Sequence, residues 1–536
     1  MDQSGGAGES VAAPLRAAME SADWETVQFL VGRNWSALII DDPQLIRDAV
    51  TALPDHVVAD NPRWITAQNY LNYLPVGDAP RPLRFRDNAP PRRSEALIDV
   101  LVELTSRGAA ARSSGRIDRA VQWVDQARAT LDDATEESRV ELQFSLPDLH
   151  SQWGKVREHA GQTAAALAEF QDAHDLAVLT GNELIQRSAA GSLAWLHTLA
   201  GRTAEAQAWL GRVPLGTEAA PGATPDWTSK RYGMAAHLSR AYAHLDRLEY
   251  AEALEVLVAY ADVSKAPEYW AVMLYLRAHL SRFTRDPMRI LTNIDSAVES
   301  RPTDMSTRGT NAVFVAAARA GLNLDLDRAQ LARQALAAVQ EGGAPAVAAS
   351  AGHIVQVAQA QVELLSGDLP AVGRLVDEMI TQSTAAPRAV AKAFVLSAAA
   401  QLRAGDEAGA GRSFGRAIEQ ISGSGLLGAF TVITRRDFDA LVRLGAGTCG
   451  REGLRMLDDV AERGLFLPEL VPAAPLTPRE RSVLRELASG DSLADIAARL
   501  FVSQNTVKSQ LRSAYRKLGV ASRAEAEARA ARLGLL

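Results

Sequence analysis

Between residues 94 and 465 apolar residues recur at three- and four-residue spacings, and no segment alternates apolar with polar positions as a half-buried strand would. That pattern predicts helices throughout. A short polar turn, followed one helical turn later by a small or apolar residue, interrupts it again and again. The turns are Gly115-Arg116, Gly161-Gln162, Gly201-Arg202, Asp246-Arg247, Arg285-Asp286, Leu324-Asp325, Gly367-Asp368 and Gly405-Asp406. Successive turns lie 38 to 46 residues apart, the length of two helices with two connections, so the unit of construction is a helical hairpin.

Hairpins of this period, slightly longer than the tetratricopeptide unit, bury their apolar faces by stacking on their neighbours. The expected fold is therefore all-α: an α-solenoid of tetratricopeptide-like hairpins over residues 94–465. An alanine-rich helical domain without superhelical order would give a similar pattern. Residues 1–75 read as a further helical region, in which Ala22-Asp23-Trp24-Glu25 resembles one more hairpin turn. Residues 76–93, with Pro80, Pro82, Pro90 and Pro91 among arginines, read as an exposed loop. Pro468, Pro472 and Pro475 mark residues 466–475 as a semi-extended linker, leaving 476–536 as a separate terminal domain.

That terminal domain changes period and capping. Thr477-Pro478-Arg479-Glu480 is a capping box with proline at the first helical position, and Gly490 supplies the stop. Ser492 with Asp495 caps a second helix whose inner face is Leu493, Ile496, Ala497 and Leu500. After Phe501-Val502, Ser503 caps a third with Val507, Leu511, Ala514 and Leu518 inside, ended by Gly519. Two amphipathic helices joined by a three-residue connection form a helix-turn-helix. Ser522-Arg523-Ala524-Glu525 is a second capping box and predicts a fourth helix running almost to Leu536.

With the inner stripe of the third helix turned to the core, Gln504, Asn505, Lys508, Ser509, Arg512 and Arg516 point outward. A helical face mixing amides, a hydroxyl and cations fits the DNA major groove, where Lys and Arg meet guanine O6 and N7, Asn and Gln meet adenine, and other cations neutralise phosphates. The second helix would cross the backbone with its amino end near Ser492 offering amide donors to a phosphate. A merely solvated helix face is the competing reading; the agreement of caps, turn and spacing argues against it.

The residues Leu476-Thr477-Pro478-Arg479-Glu480, Ile496-Ala497, Leu500, Val502-Ser503, Thr506-Val507-Lys508 and Arg516-Lys517-Leu518-Gly519-Val520 closely resemble the LuxR-type (GerE-like) DNA-binding domain, over about an eighth of the chain. The resemblance implies that Lys508, Ser509 and Arg512 approach bases, that Thr506 and Arg516 lie near phosphates, and that the fourth helix is the dimer contact. Ala526, Ala530 and Leu533 are the expected dimerisation residues, since small side chains let two helices approach. Leu493-Ala494-Asp495 stands where many members are polar, and Gln510 replaces a frequent histidine; both departures weaken the case for a backbone contact from the second helix.

The net charge of −7 argues against a nucleic-acid protein until it is divided. Residues 476–536 hold 11 Lys+Arg and 6 Asp+Glu, a net of +5, which leaves −12 on the rest and confines DNA contact to the terminal domain. One cysteine, Cys449, excludes an internal disulfide and any cysteine-rich zinc site. The polar start Met1–Ser10 and the lack of a long apolar run predict a cytoplasmic protein with no membrane association. Gly445-Ala446-Gly447-Thr448-Cys449-Gly450 fits a dinucleotide fingerprint but follows a helix, not a strand, and reads as a turn. The scattered histidines have no metal-ligand spacing. Neither enzyme activity, metal nor cofactor is therefore expected. Tyr269, Trp270, Tyr275 and Arg277 are candidates for an effector groove, with core packing as the alternative.

A helical array ending in such a reader resembles the C-terminal part of the large MalT-like regulators, although no G-x-x-x-x-G-K-[ST] phosphate loop is present. The resemblance implies a transcription regulator that binds double-stranded DNA as a homodimer, contacts RNA polymerase, and receives a small-molecule or protein effector through its array. A helical-repeat scaffold that docks on DNA without ligand control is the alternative.

Overall fold

The computed structural model describes residues 7–72, 96–213, 232–259, 268–341, 350–381, 386–445, 450–469, 476–489 and 492–518, together with 522, 523, 526, 527, 530 and 535. The described residues are helical with one isolated parallel bridge, between Thr434 and Leu467. The expected loop at 76–93, the stops at Gly490 and Gly519, and Leu533 lie outside them.

Among the described residues eight hairpins follow one another where eight turns were expected, from Leu97–Ser113 with Ile117–Asp132 to Pro387–Arg403 with Glu407–Ser422. Each turn holds one residue in the left-handed region: Gly115, Gly161, Gly201, Leu248, Arg285, Asp327, Gly367 and Gly405. A left-handed residue ends the first helix and lets the chain reverse. Leu248, Arg285 and Asp327 adopt it at a cost of roughly 1–2 kcal/mol. At Gly201 glycine is demanded twice over, because a Cβ there would lie 2.6 Å from the Arg388 backbone nitrogen.

That approach reports the winding of the array. The first helix of each hairpin faces the superhelix axis, and the axis is narrow enough for distant repeats to touch. Leu146–His159 packs on Gly309–Asp325, and Glu183–Ala200 on Pro387–Arg403, so one superhelical turn takes four to five hairpins. Axial helices are consequently buried on nearly all sides: Asn311, Ala312, Val313, Phe314, Val315 and Ala316 are consecutive buried residues. Outer helices are amphipathic; Pro287–Glu299 buries Ile290, Ile294 and Ala297 and exposes the remainder of its face.

The N-terminal helices, Ala7–Glu20 to Arg63–Asn72, enclose their own core of Leu15, Val27, Leu38, Ile46 and Trp64. They join the array through polar contacts, Ser36 Oγ donating to Asp148 Oδ1 at 2.8 Å and Arg63 bonding Asp99 at 3.3 Å. Ala22 occupies the left-handed position of the hairpin turn expected there. At the other end, Arg435–Gly445 and Arg451–Arg463 close the array. Phe466 and Leu467, assigned by sequence to the linker, belong to this body. Leu467 is buried and donates its N–H to Ile433 O at 3.0 Å, and the Phe466 ring packs 4.8 Å from that of Phe438. Apolar side chains after the last helix found a surface to cover, which proline spacing alone did not reveal.

Candidate nucleic-acid interface

The terminal domain is built as its caps dictate. Thr477 Oγ1 accepts the Glu480 N–H while the Glu480 carboxylate accepts the Thr477 N–H at 2.7 Å, and helix Pro478–Ala488 follows. Glu480 is buried, and burial opposes its ionisation. Bonds from Lys517, at 2.7 Å, Ser513 and Thr477 outweigh that cost and hold the carboxyl down at about 2. Lys517 is thereby committed to bracing the third helix on the first. This explains why, of the two adjacent cations Arg516 and Lys517, only Arg516 is exposed.

Helix Leu493–Arg499 buries Ile496 and Ala497; helix Gln504–Leu518 buries Val507, Leu511, Ala514 and Leu518. Their core includes Leu476, just before the first helix, and Val483, Leu484 and Leu487 within it. The turn between them holds Phe501 in the left-handed region with its ring exposed. Ser503 caps the third helix by accepting the Thr506 N–H at 3.1 Å.

Locking that stripe inward leaves Gln504, Asn505, Lys508, Ser509, Arg512 and Arg516 exposed and Thr506 half-buried at the helix start. Asn505, Lys508, Ser509, Arg512 and Arg516 line one open concavity, together with Tyr515 and Arg523. Arg523 was not singled out by sequence, where it appeared only as part of a capping box. It anchors its guanidinium on Leu487 O at 2.6 Å and pairs with Glu527, which brings a cation from beyond the third helix to the same surface.

Two expectations change. Ser492 accepts the Asp495 N–H at 3.3 Å and donates to the Asp495 carboxylate at 2.5 Å. The second helix thus begins with its own anion, and Ser492 is a cap with its hydroxyl engaged. Ala526 and Ala530 are fully buried in the domain's own core with Leu487 and Leu511, so neither methyl is available to a second copy. Of the alanines that resembled a dimer face, Ala526 and Ala530 face the domain's own core.

In the array, Tyr269 and Trp270 are core residues. Tyr269 donates to Glu158 Oε2 at 3.4 Å, and Arg301 stacks 4.5 Å over the Trp270 ring. Arg277 donates to Leu257 O at 3.0 Å. Of the four effector candidates only Tyr275 borders the axial cavity, beside Tyr242, His279 and Arg388. His150, Glu169 and Asp172 come within 4.8 Å of one another, a grouping hidden from sequence because it spans two helices. Arg128 lies 3.6 Å from Glu169 and 3.9 Å from Asp172, so a side-chain cation already sits beside these carboxylates. No helix among the described residues is long and apolar enough to cross a membrane.

Residues 474–530 match the luxR family of bacterial regulatory proteins. Two relatives are similar over part of the chain. "Probable transcriptional regulatory protein NarL" of Mycobacterium tuberculosis is 50% identical over 94 residues, 15% of this chain and 44% of that protein. "HTH-type transcriptional regulator MalT" of Yersinia pestis is 48% identical over 67 residues, 12% of this chain and 7% of that protein. The chain therefore spans less than half the length of the relatives it matches.

Proposed function

We propose, from a chain whose residues 474–530 are a LuxR-type helix-turn-helix domain, that the protein is a sequence-specific transcription regulator governed by its helical array. The observation that carries this reading is the outward face of helix Gln504–Leu518. The anchoring stripe is buried, Lys517 is withdrawn into an ion pair, and Asn505, Lys508, Ser509, Arg512 and Arg516 line one concave surface. On a duplex, Lys508, Ser509 and Arg512 read base edges, with Gln504 and Asn505 beside them, while Thr506, Arg516 and Arg523 meet phosphates. Ser503 sets the start of the helix, and Ser492 steadies the helix that crosses the backbone.

One reader covers only a few base pairs, so useful discrimination requires two copies on half-sites about one DNA turn, ~34 Å, apart. The contact between copies uses surface other than Ala526 and Ala530. The array receives the signal, a small molecule or a partner, and the bound regulator acts on RNA polymerase. The acidic remainder of the chain keeps DNA on the basic domain.

Selection of duplexes from a random pool by the full-length protein tests the reading. The expected product is a partly palindromic motif with a fixed spacing. A pool that stays random after repeated selection, with affinity set by salt alone, would overturn it.

A further inference from the structure

The superhelix axis contains a cavity of about 130 Å³ that opens to solvent. An apolar cavity of comparable size accepts a single aromatic ring, about six carbon atoms. One wall is apolar, from Ala317, Ala318, Val357 and Ala358. The opposite wall carries Tyr242, Tyr275, His279, Arg388 and Lys392.

The charges there do not balance internally. Arg388 is paired with Asp246 and Arg282 with Asp325. Lys392, one helical turn beyond Arg388, has no carboxylate partner among the described residues, and the Gln361 amide facing the same space has no hydrogen-bond partner among them either. The cavity thus holds one cation in excess.

His279 adds a directional requirement. Its Nδ1 lies 2.9 Å from Tyr275 O, and a carbonyl only accepts, so the ring proton sits on Nδ1 and Nε2 is left as an acceptor. The desolvated surroundings, with Lys392 next and Arg282 and Arg388 nearby, push the imidazole down to about 3, so it stays neutral at physiological pH. Although hemmed in by protein, the ring is exposed to the cavity. A ligand suited to this wall presents an anion to Lys392 and a hydroxyl donor to His279.

We infer that the axial cavity is a binding site for a small hydroxylated organic acid of about one ring, its carboxylate on Lys392 and Gln361 and its hydroxyl donating to His279. This rests on reading the array as the receiver of the signal and gives that reading a place and a chemistry. The position of the site supplies a route to DNA. Leu465 and Leu467, on the segment that leaves the array toward the reader, form part of the cavity lining. That segment is held by Tyr250 Oη, which accepts the Leu465 N–H at 3.2 Å, and by Arg282, which donates to Leu465 O at 3.1 Å. A molecule in the cavity touches the strap on which the reader is tethered.

Isothermal titration of the purified full-length protein with 4-hydroxybenzoate tests the site. Saturable one-to-one binding is expected, weakened about tenfold or more when 4-hydroxybenzamide removes the charge, and weakened less by benzoate, which removes only the hydroxyl. Lys392→Gln should abolish the preference for the acid over the amide without moving the melting temperature. His279→Phe should abolish the preference for 4-hydroxybenzoate over benzoate. Absence of saturable binding by the wild-type protein, or unchanged preferences in both variants, would overturn the inference while leaving a protein signal open to the array. Binding with the expected preferences but no change in affinity for the selected DNA would support the site and sink the sensing role instead.

Discussion

Arg388 grips Asp246 across 142 residues of sequence: its Nη1 and Nη2 meet the two carboxylate oxygens, Nη2 at 2.8 Å from Oδ2. The same Nη2 donates to Thr198 O at 2.6 Å, and the guanidinium lies 4.0 Å over the Tyr242 ring. Both charged side chains are buried. The pair ties the last residue of helix Met234–Asp246 and the carboxyl end of Glu183–Ala200 to the start of Pro387–Arg403, closing the superhelix where distant turns meet. Association of these helices leaves little water for either ion, so each is tolerated only because the other is present.

Asp246→Ala should therefore lower stability by about 3–5 kcal/mol, since it strands a buried guanidinium. The double variant Asp246→Leu with Arg388→Met should recover most of that loss, because it removes both charges and restores apolar volume. Urea midpoints of the three proteins decide the point; equal losses in the single and double variants would mean that the site requires the ion pair itself.

On the proposed reading, base reading and phosphate binding separate at Arg512 and Arg516, two exposed arginines one helical turn apart on the third helix. Arg512→Ala should weaken binding to the selected site by about 1–3 kcal/mol and to random duplex far less. Arg516→Ala should weaken both alike and reduce the salt dependence of log K by about one. Fluorescence titrations on both DNAs at two salt concentrations check the pair, and exchanged phenotypes would exchange the two roles.

Much of this was legible in the chain because local rules set it. All eight turns carry their left-handed residue, and Thr477-Glu480, Ser492 and Ser503 cap where their spacing placed them. What escaped depends on winding. Nothing near Asp246 in sequence points to Arg388, and nothing near Tyr275 distinguishes a ring bordering the axial cavity from Trp270, a ring in the core; both facts follow from how far hairpins rotate about the axis. The alanines at 526 and 530 failed for another reason. Small residues serve close packing within a domain as well as between copies, and composition does not distinguish the two uses.

A buried acid should give the array a characteristic response to alkaline pH. Burial, reinforced by Glu268, pushes the Glu158 carboxyl up to about 8 despite Lys155 and Arg112, so the folded protein keeps a proton that the unfolded chain releases near its ordinary value of 4.5. Its stabilising contribution is complete below 4.5 and is lost as pH rises through about 8. Neighbouring His159, driven down to about 4 by burial and Arg112, acts oppositely, but only up to its ordinary value of 6.5. Above 6.5 Glu158 alone of this pair still titrates. The melting temperature should fall between pH 6.5 and 8, and Glu158→Gln should flatten that interval; an unchanged slope in the variant would place the titrating group elsewhere.

The burial of Ala530 sets apart two ways of losing DNA binding. A glutamate there would place a charge among Leu487, Leu511 and Ala526, with no cation partner within that cluster, a cost that such a small domain cannot absorb. Ala530→Glu should abolish the folding transition of the reader, so affinity for the selected site, for a single half-site and for random duplex should disappear together. A variant defective only in pairing would instead keep its half-site affinity and lose the advantage of the second half-site. Circular dichroism melting combined with titrations on the three DNAs distinguishes the two. A folded Ala530→Glu protein that loses only the two-half-site advantage would return this residue to the surface and to the dimer.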